Sequence, residues 1–180
     1  MPEPSKPAAP AESPENAPRE VPLSYPGVWP EASCLVTSEF VLAIRPAPAQ
    51  RASSAWVTWC EGLQTSAGWG DGDEPILRDV LTALNAAPMS QRVPVFAIGS
   101  NASVAQLRHK ARSQHFPLLI PMFRAEVTGL AIGHATVLSH LGYVPATLRL
   151  EPTAQESLFV QFLDRRQLHE LDATEIGYRR

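Results

Sequence analysis

Cysteine is scarce in this chain: only Cys34 and Cys60 among 180 residues, in no CxxC or Cys/His spacing. That pattern gives no disulfide framework and no zinc site, and leaves two plain thiols. Charge is thin as well, with 18% charged residues and a net charge of −3. So weak a negative balance provides no electrostatic footprint for nucleic acid or an anionic membrane. No apolar run approaches the ~20 residues of a membrane span. The opening "MPEPSKPAAPAESPENAPRE" lacks the apolar stretch of a signal peptide, so a cytoplasmic location is expected. Several chemical signatures are missing too. There is no Gly-Lys-Ser or Gly-Lys-Thr phosphate loop and no G-x-S-x-G elbow, and none of the five histidines pairs at i, i+4.

What is present suffices for one domain with a core and additional segments, with 44% hydrophobic residues. Residues 1–22 are rich in Pro, Ala, Glu and Ser and are expected to form a disordered tail. Residues 23–89 hold all four tryptophans (Trp29, Trp56, Trp59 and Trp69) and read as an irregular extension. Their large apolar area suits packing onto a main domain, with a ligand-facing aromatic wall as the alternative. Within this extension "CLVTSEFVLAI" offers two short β-runs, and "DGDEPILRDVLTALNAAP" a helix with Ile76, Val80, Leu81 and Leu84 on one face.

Residues 90–180 are more regular. Val93 to Ile98 is a continuous apolar strand, expected to be buried on both faces. Ser103 fits a helix N-cap, with Gln106 at capping-box spacing and Val104, Leu107 and Ala111 as the inward face. "FPLLIPM" reads as a connector or an edge. "RAEVTGLAIGHATVL", "YVPATLRL" and "SLFVQFL" read as strands, and "DRRQLHELDATE" as a helix capped by Asp164. Short strands and few helices without a βαβ rhythm indicate an α+β fold.

The strand–turn–helix corner around Gly99, Ser100 and Asn101 is the first candidate site. Glycine permits an unusual backbone path, and the helix start behind it offers free N–H groups and a positive dipole end. That makes an anion cradle, although the same residues suit any tight corner. Glu175 is the second candidate. It follows Leu168 and Leu171 on one helical face, where an inward carboxylate suits general acid/base work; a frayed helix end would point it to water instead. His134 is the third, on a strand flanked by glycine, where a ligand can approach closely.

"FAIGSN" before a helix, "GLAIGHATVLSHLGYVPATL" in mid-domain and "LDATEIGY" late in the chain occur in that order. Together they resemble the gamma-glutamylcyclotransferase-like superfamily, including its avirulence-induced-gene type members, over roughly residues 93–180. The resemblance implies a small mixed β-barrel with flanking helices, incomplete at the C-terminus in this chain. It implies an enzyme that cyclises a γ-glutamyl group to 5-oxoproline and releases an amine or amino acid, with no metal or cofactor. Ile98, Gly99, Ser100 and Asn101 would be the substrate-binding loop, joined by His134, and Glu175 the catalytic acid/base. Ile98 stands where those proteins carry tyrosine. The partner implied is a small γ-glutamyl compound. The alternative is a non-catalytic small-molecule binding module on the same fold.

Overall fold

A computed structural model of the chain describes residues 13–45, 52, 55–58 and 68–175. Trp59, Cys60 and the segment after Glu175 lie outside the described residues. The strands are β1 (Cys34–Thr37), β2 (Val41–Arg45), β3 (Trp56–Val57), β4 (Val93–Ala97), β5 (Leu119–His134) and β6 (Ala146–Leu163). The helices are α1 (Leu77–Ala83), α2 (Val104–Gln114) and α3 (Arg165–Ala173). The strands form one six-stranded sheet in the order β3-β2-β1-β5-β6-β4. Every neighbouring pair in it is antiparallel.

The fold is therefore α+β, but the expected mixed barrel is not formed. The sheet is antiparallel and open, with β3 and β4 as its two edges. Nor is the segment 23–89 an appendage: its strands β1, β2 and β3 continue the same sheet through the β1–β5 pairing.

Strand alternation explains how the two faces are covered. Cys34 and Val36 point into a cluster with Leu107 and Ala111 of α2, Phe159 of β6 and Leu171 of α3. Leu35 points the other way, into a cluster with Leu42, Val57 and the α1 residues Leu77, Val80 and Leu81. All four residues of β1 are thus buried. The tryptophans divide between these faces: Trp29 packs on the first cluster and Trp69 on the second. Trp56 lies at the β3 edge with the Arg45 guanidinium 5.1 Å above its ring.

The run from Val93, by contrast, is an edge strand, with Val93 41% and Phe96 42% exposed. Pro94 is the physical reason, since a residue without an N–H is tolerated where one side of a strand has no partner. The proline-broken "FPLLIPM" instead begins the long central strand β5. Its Pro121 pairs only with Leu35 of β1, and β6 pairing starts one residue later at Met122. The pieces expected as separate strands merge into the β5–β6 hairpin, whose register slips between Thr128 and Leu130. Gly129, at φ +90°, permits that irregularity.

Part of the expected tail is packed. From Ser13 the chain makes short 3-10 turns at Pro14–Asn16 and Pro22–Ser24 and buries Ala17 completely. It crosses α2, where the Arg19 N–H donates to Gln106 Oε1 at 3.1 Å and Glu20 pairs with His109 at 3.2 Å. Prolines lower the entropy lost on fixing such a segment, and the matched polar contacts do the rest. This docking also displaces the expected capping box of α2. Ser103 is the N-cap, but its side chain makes no capping bond, and the Gln106 side chain, which would supply the other half of the box, accepts from Arg19 instead. The capping box at α3 forms instead, between Asp164 and Gln167.

Candidate functional site

Strand β4 ends at Ala97, and Ile98 leads in extended form into a 3-10 turn, Gly99–Ala102, that runs up to α2. Gly99 adopts φ +54°, in the left-handed region that disfavours side chains. A Cβ there would overlap the Tyr25 hydroxyl and come within 3.2 Å of Ala146. The turn is held from three directions. Trp29 Nε1 donates to Gly99 O at 2.9 Å, Gln161 Nε2 donates to Asn101 O at 2.7 Å, and the Asn101 N–H closes on Ile98 O at 3.2 Å. The Ser103 N–H closes on Ser100 O at 3.0 Å.

Helix α3 stops at Ala173, capped by Thr174, so Glu175 sits just beyond the helix and not on its inward stripe. Its side chain turns back to the loop all the same. Glu175 Oε1 accepts from Asn101 Nδ2 at 3.0 Å and from Lys110 Nζ at 2.5 Å. Lys110 also donates to Asn101 Oδ1 at 2.6 Å, which closes a triangle of Asn101, Lys110 and Glu175. Oε2 of Glu175 has no donor among the described residues, and the side chain is 28% exposed. One carboxylate oxygen is thus held by two donors.

Lys110 lies on α2, three residues after Leu107, on the inward side of the helix. Burial lowers its pKa from the ordinary value, while the charge of Glu175 and the hydrogen bond to it oppose that shift. Tyr25 and Tyr143 stack at 4.2 Å beside the loop, and the Tyr25 oxygen accepts the Ala146 N–H at 2.6 Å. Burial pushes both phenols above the ordinary value; the charge of Glu175 adds to the shift at each. Both therefore stay protonated at neutral pH and available as donors.

The structure brings Ile98, Gly99, Ser100, Asn101 and Glu175 into one place. His134 makes no contact with the triangle among the described residues. It ends β5 with its side chain exposed, opposite Ala146, and no hydrogen bond or ion pair links it to Glu175 among the described residues. Gly133 lies beside it at the turn end of the hairpin. Lys110, Tyr25, Tyr143 and Gln161 escaped the sequence reading. Only Lys110 left a local trace, a lysine at an inward helical position, where an uncharged residue is the norm.

A cavity of about 170 Å³ adjoins the triangle, lined by Arg19, His109, Lys110 and Thr174 among others. Among the described residues no three His, Cys, Asp or Glu side chains gather as a metal-binding group. No helix there is long and apolar enough to cross a membrane. Compared with known proteins, the chain matches no family model, no curated protein and no solved structure.

Proposed function

We propose that this chain is a gamma-glutamylcyclotransferase-like enzyme acting on a small γ-glutamyl compound. The observation that carries the reading is the contact between Asn101 of the loop and Glu175, 74 residues apart in sequence. A buried lysine makes it a built arrangement and not a chance surface contact.

In this reading the loop holds the glutamyl group, with its backbone and the Tyr25 hydroxyl facing the carbonyl oxygen that gains charge. The α-amino nitrogen attacks the γ-carbonyl carbon, the lactam C–N bond forms, and the bond to the departing amine breaks. Two protons leave the α-ammonium as it becomes the lactam N–H, and the departing amine gains two as it becomes an ammonium. Glu175 Oε2 carries one proton from the first nitrogen to the second, and solvent takes the other from the α-ammonium before attack and supplies one to the amine after it leaves, while Oε1 stays anchored by Lys110 and Asn101. Both reacting groups belong to one molecule, so holding the folded-back conformer supplies much of the acceleration.

The test is 5-oxoproline release from a panel of γ-glutamyl dipeptides and γ-glutamyl amines. Glu175→Gln is expected to lower kcat about a hundredfold or more, the usual scale for general acid/base catalysis. A folded wild type inactive on the whole panel, or an active Glu175→Gln protein, overturns the reading.

The engagement of Glu175 by Lys110 favours a second reading, a binding module without turnover. Calorimetry with glutamate and 5-oxoproline separates the two, since binding without turnover supports the module.

A further inference from the structure

The start of α2 carries the residues of a capping box, Ser103 and Gln106, and both halves of the box are unmade. Ser103 is completely buried, and its Oγ has no hydrogen-bond partner among the described residues. The Gln106 side-chain oxygen accepts the Arg19 N–H at 3.1 Å. One segment, residues 17–27, stands in the way of both. Gly27, at φ +80°, lies so close that a Cβ there would stand 2.7 Å from Ser103 Oγ and 3.0 Å from the Pro18 ring.

A buried, unpaired hydroxyl at an N-cap is unfavourable on two counts. The helix start lacks its side-chain acceptor, and the hydroxyl has lost water without gaining a partner. Lifting residues 17–27 away relieves both. Ser103 already has the extended backbone of an N-cap, at φ −82° and ψ 130°, so its Oγ is then free to accept the Gln106 N–H. Gln106 Oε1, released from Arg19, is free to face the Ser103 N–H, which now closes on Ser100 O. The docked segment and the capping box therefore compete for the same two side chains.

Few contacts hold the segment down. Ala17 is fully buried, Glu20 pairs with His109 at 3.2 Å, and the Tyr25 oxygen accepts the Ala146 N–H at 2.6 Å. Val21 and Leu23 face outward, Leu23 with all of its surface exposed. Trp29, packed on the core cluster and bonded to Gly99 O, anchors the chain where the segment ends. The segment also bears on the loop, because the Tyr25 hydroxyl fills the space beside Gly99.

We propose that residues 17–27 form a reversible latch. Docked, the latch braces the Gly99 turn through Tyr25. Released, it yields Ser103 and Gln106 to the capping box of α2 and leaves the turn without that brace. The latch does not rest on the cyclotransferase reading, since its readouts are backbone amides and not turnover.

Amide hydrogen exchange, followed by NMR on the full chain, tests it. The reporters are Arg19, Glu20 and Val21, whose N–H groups bond Gln106 Oε1 and Ala17 O. In the wild type they are expected to be protected roughly a hundredfold less than the amides of β5, because the latch opens without global unfolding. Ser103→Ala is expected to slow their exchange about tenfold, since it removes the unpaired hydroxyl from the docked state and the cap from the released one. Ala17→Asp places a carboxylate in a buried site, and is expected to speed exchange about tenfold or more at the reporters and at Asn101 and Ser103 of the loop. In that released background Ser103→Ala is expected to lower the urea midpoint, as loss of an ordinary cap does. The latch is overturned by reporters as protected as β5, by exchange unchanged or faster in Ser103→Ala, or by loop amides unmoved in Ala17→Asp. Should Ala17→Asp not fold, the wild-type comparison and Ser103→Ala decide alone.

Discussion

At the scale of single residues, Gly99 shows how local chemistry and distant packing combine. The sequence marks it as a turn glycine, and its φ of +54° agrees. What the sequence does not show is that Tyr25, far upstream, fills the space where a side chain would stand. Gly99→Ala therefore meets both backbone strain and a displaced phenol, at a cost of about 1–3 kcal/mol. Urea unfolding followed by tryptophan fluorescence checks this; an unchanged midpoint would refute it. Glu175 was legible as a carboxylate of interest, though for an inexact reason. Its helix ends before it, and Asn101 and Lys110 bring it inward where helical periodicity does not. Lys110 stayed unread because a lysine on a helix is usually solvated, and only tertiary packing buries this one, against Asn101 and Glu175.

At the scale of elements, Arg92 is the tie between the sheet ends and α3. It is 6% exposed, with Nε donating to Ala87 O at 2.9 Å. Its Nη1 donates to Leu119 O, Phe162 O and Gln167 Oε1 at 3.0 to 3.1 Å. Arg92→Met keeps the length and removes every donor, which is expected to cost about 2–4 kcal/mol in urea unfolding. Arg92→Lys is expected to recover less than half of that, because one ammonium does not span acceptors that a planar guanidinium reaches. The inward face of α2 was legible, with Val104, Leu107 and Ala111 all buried. The roles of the strands were not. A continuous apolar run indicates a strand but not its rank in the sheet, and Val93–Ala97 took the edge while Cys34–Thr37 took the centre.

At the scale of the whole molecule, alkaline stability reports how deeply titratable groups are buried. Burial pushes the Cys34 thiol from its ordinary 9.0 up to about 12. Between those values the unfolded chain has lost a proton that the folded chain retains. Stability from this group is therefore complete below pH 9 and falls as pH rises, by an order of 3 kcal/mol at pH 11. Tyr25 and Tyr143, also raised, act in the same direction above pH 10, and Lys110, lowered, opposes them below its ordinary 10.5. Urea unfolding at pH 8, 9, 10 and 11 checks the fall, and Cys34→Val is expected to flatten its first part. A parent protein equally stable at pH 8 and 11 would contradict the burial of Cys34.

The sequence by itself determined the α+β class, the strand–turn–helix corner at Gly99–Asn101, the N-cap position of Ser103 and the side-chain cap at Asp164, and it singled out Glu175 as a candidate. These depend on propensity, periodicity and backbone freedom, which act over a few residues. Tertiary structure alone decided that the sheet stays open and that residues 13–29 fold over α2 and the loop. It also placed Lys110 and Asn101 on the Glu175 carboxylate, and Tyr25 against Gly99. Those outcomes depend on which distant surfaces bury one another and which charges are left to pair, and neither is written in the spacing along the chain.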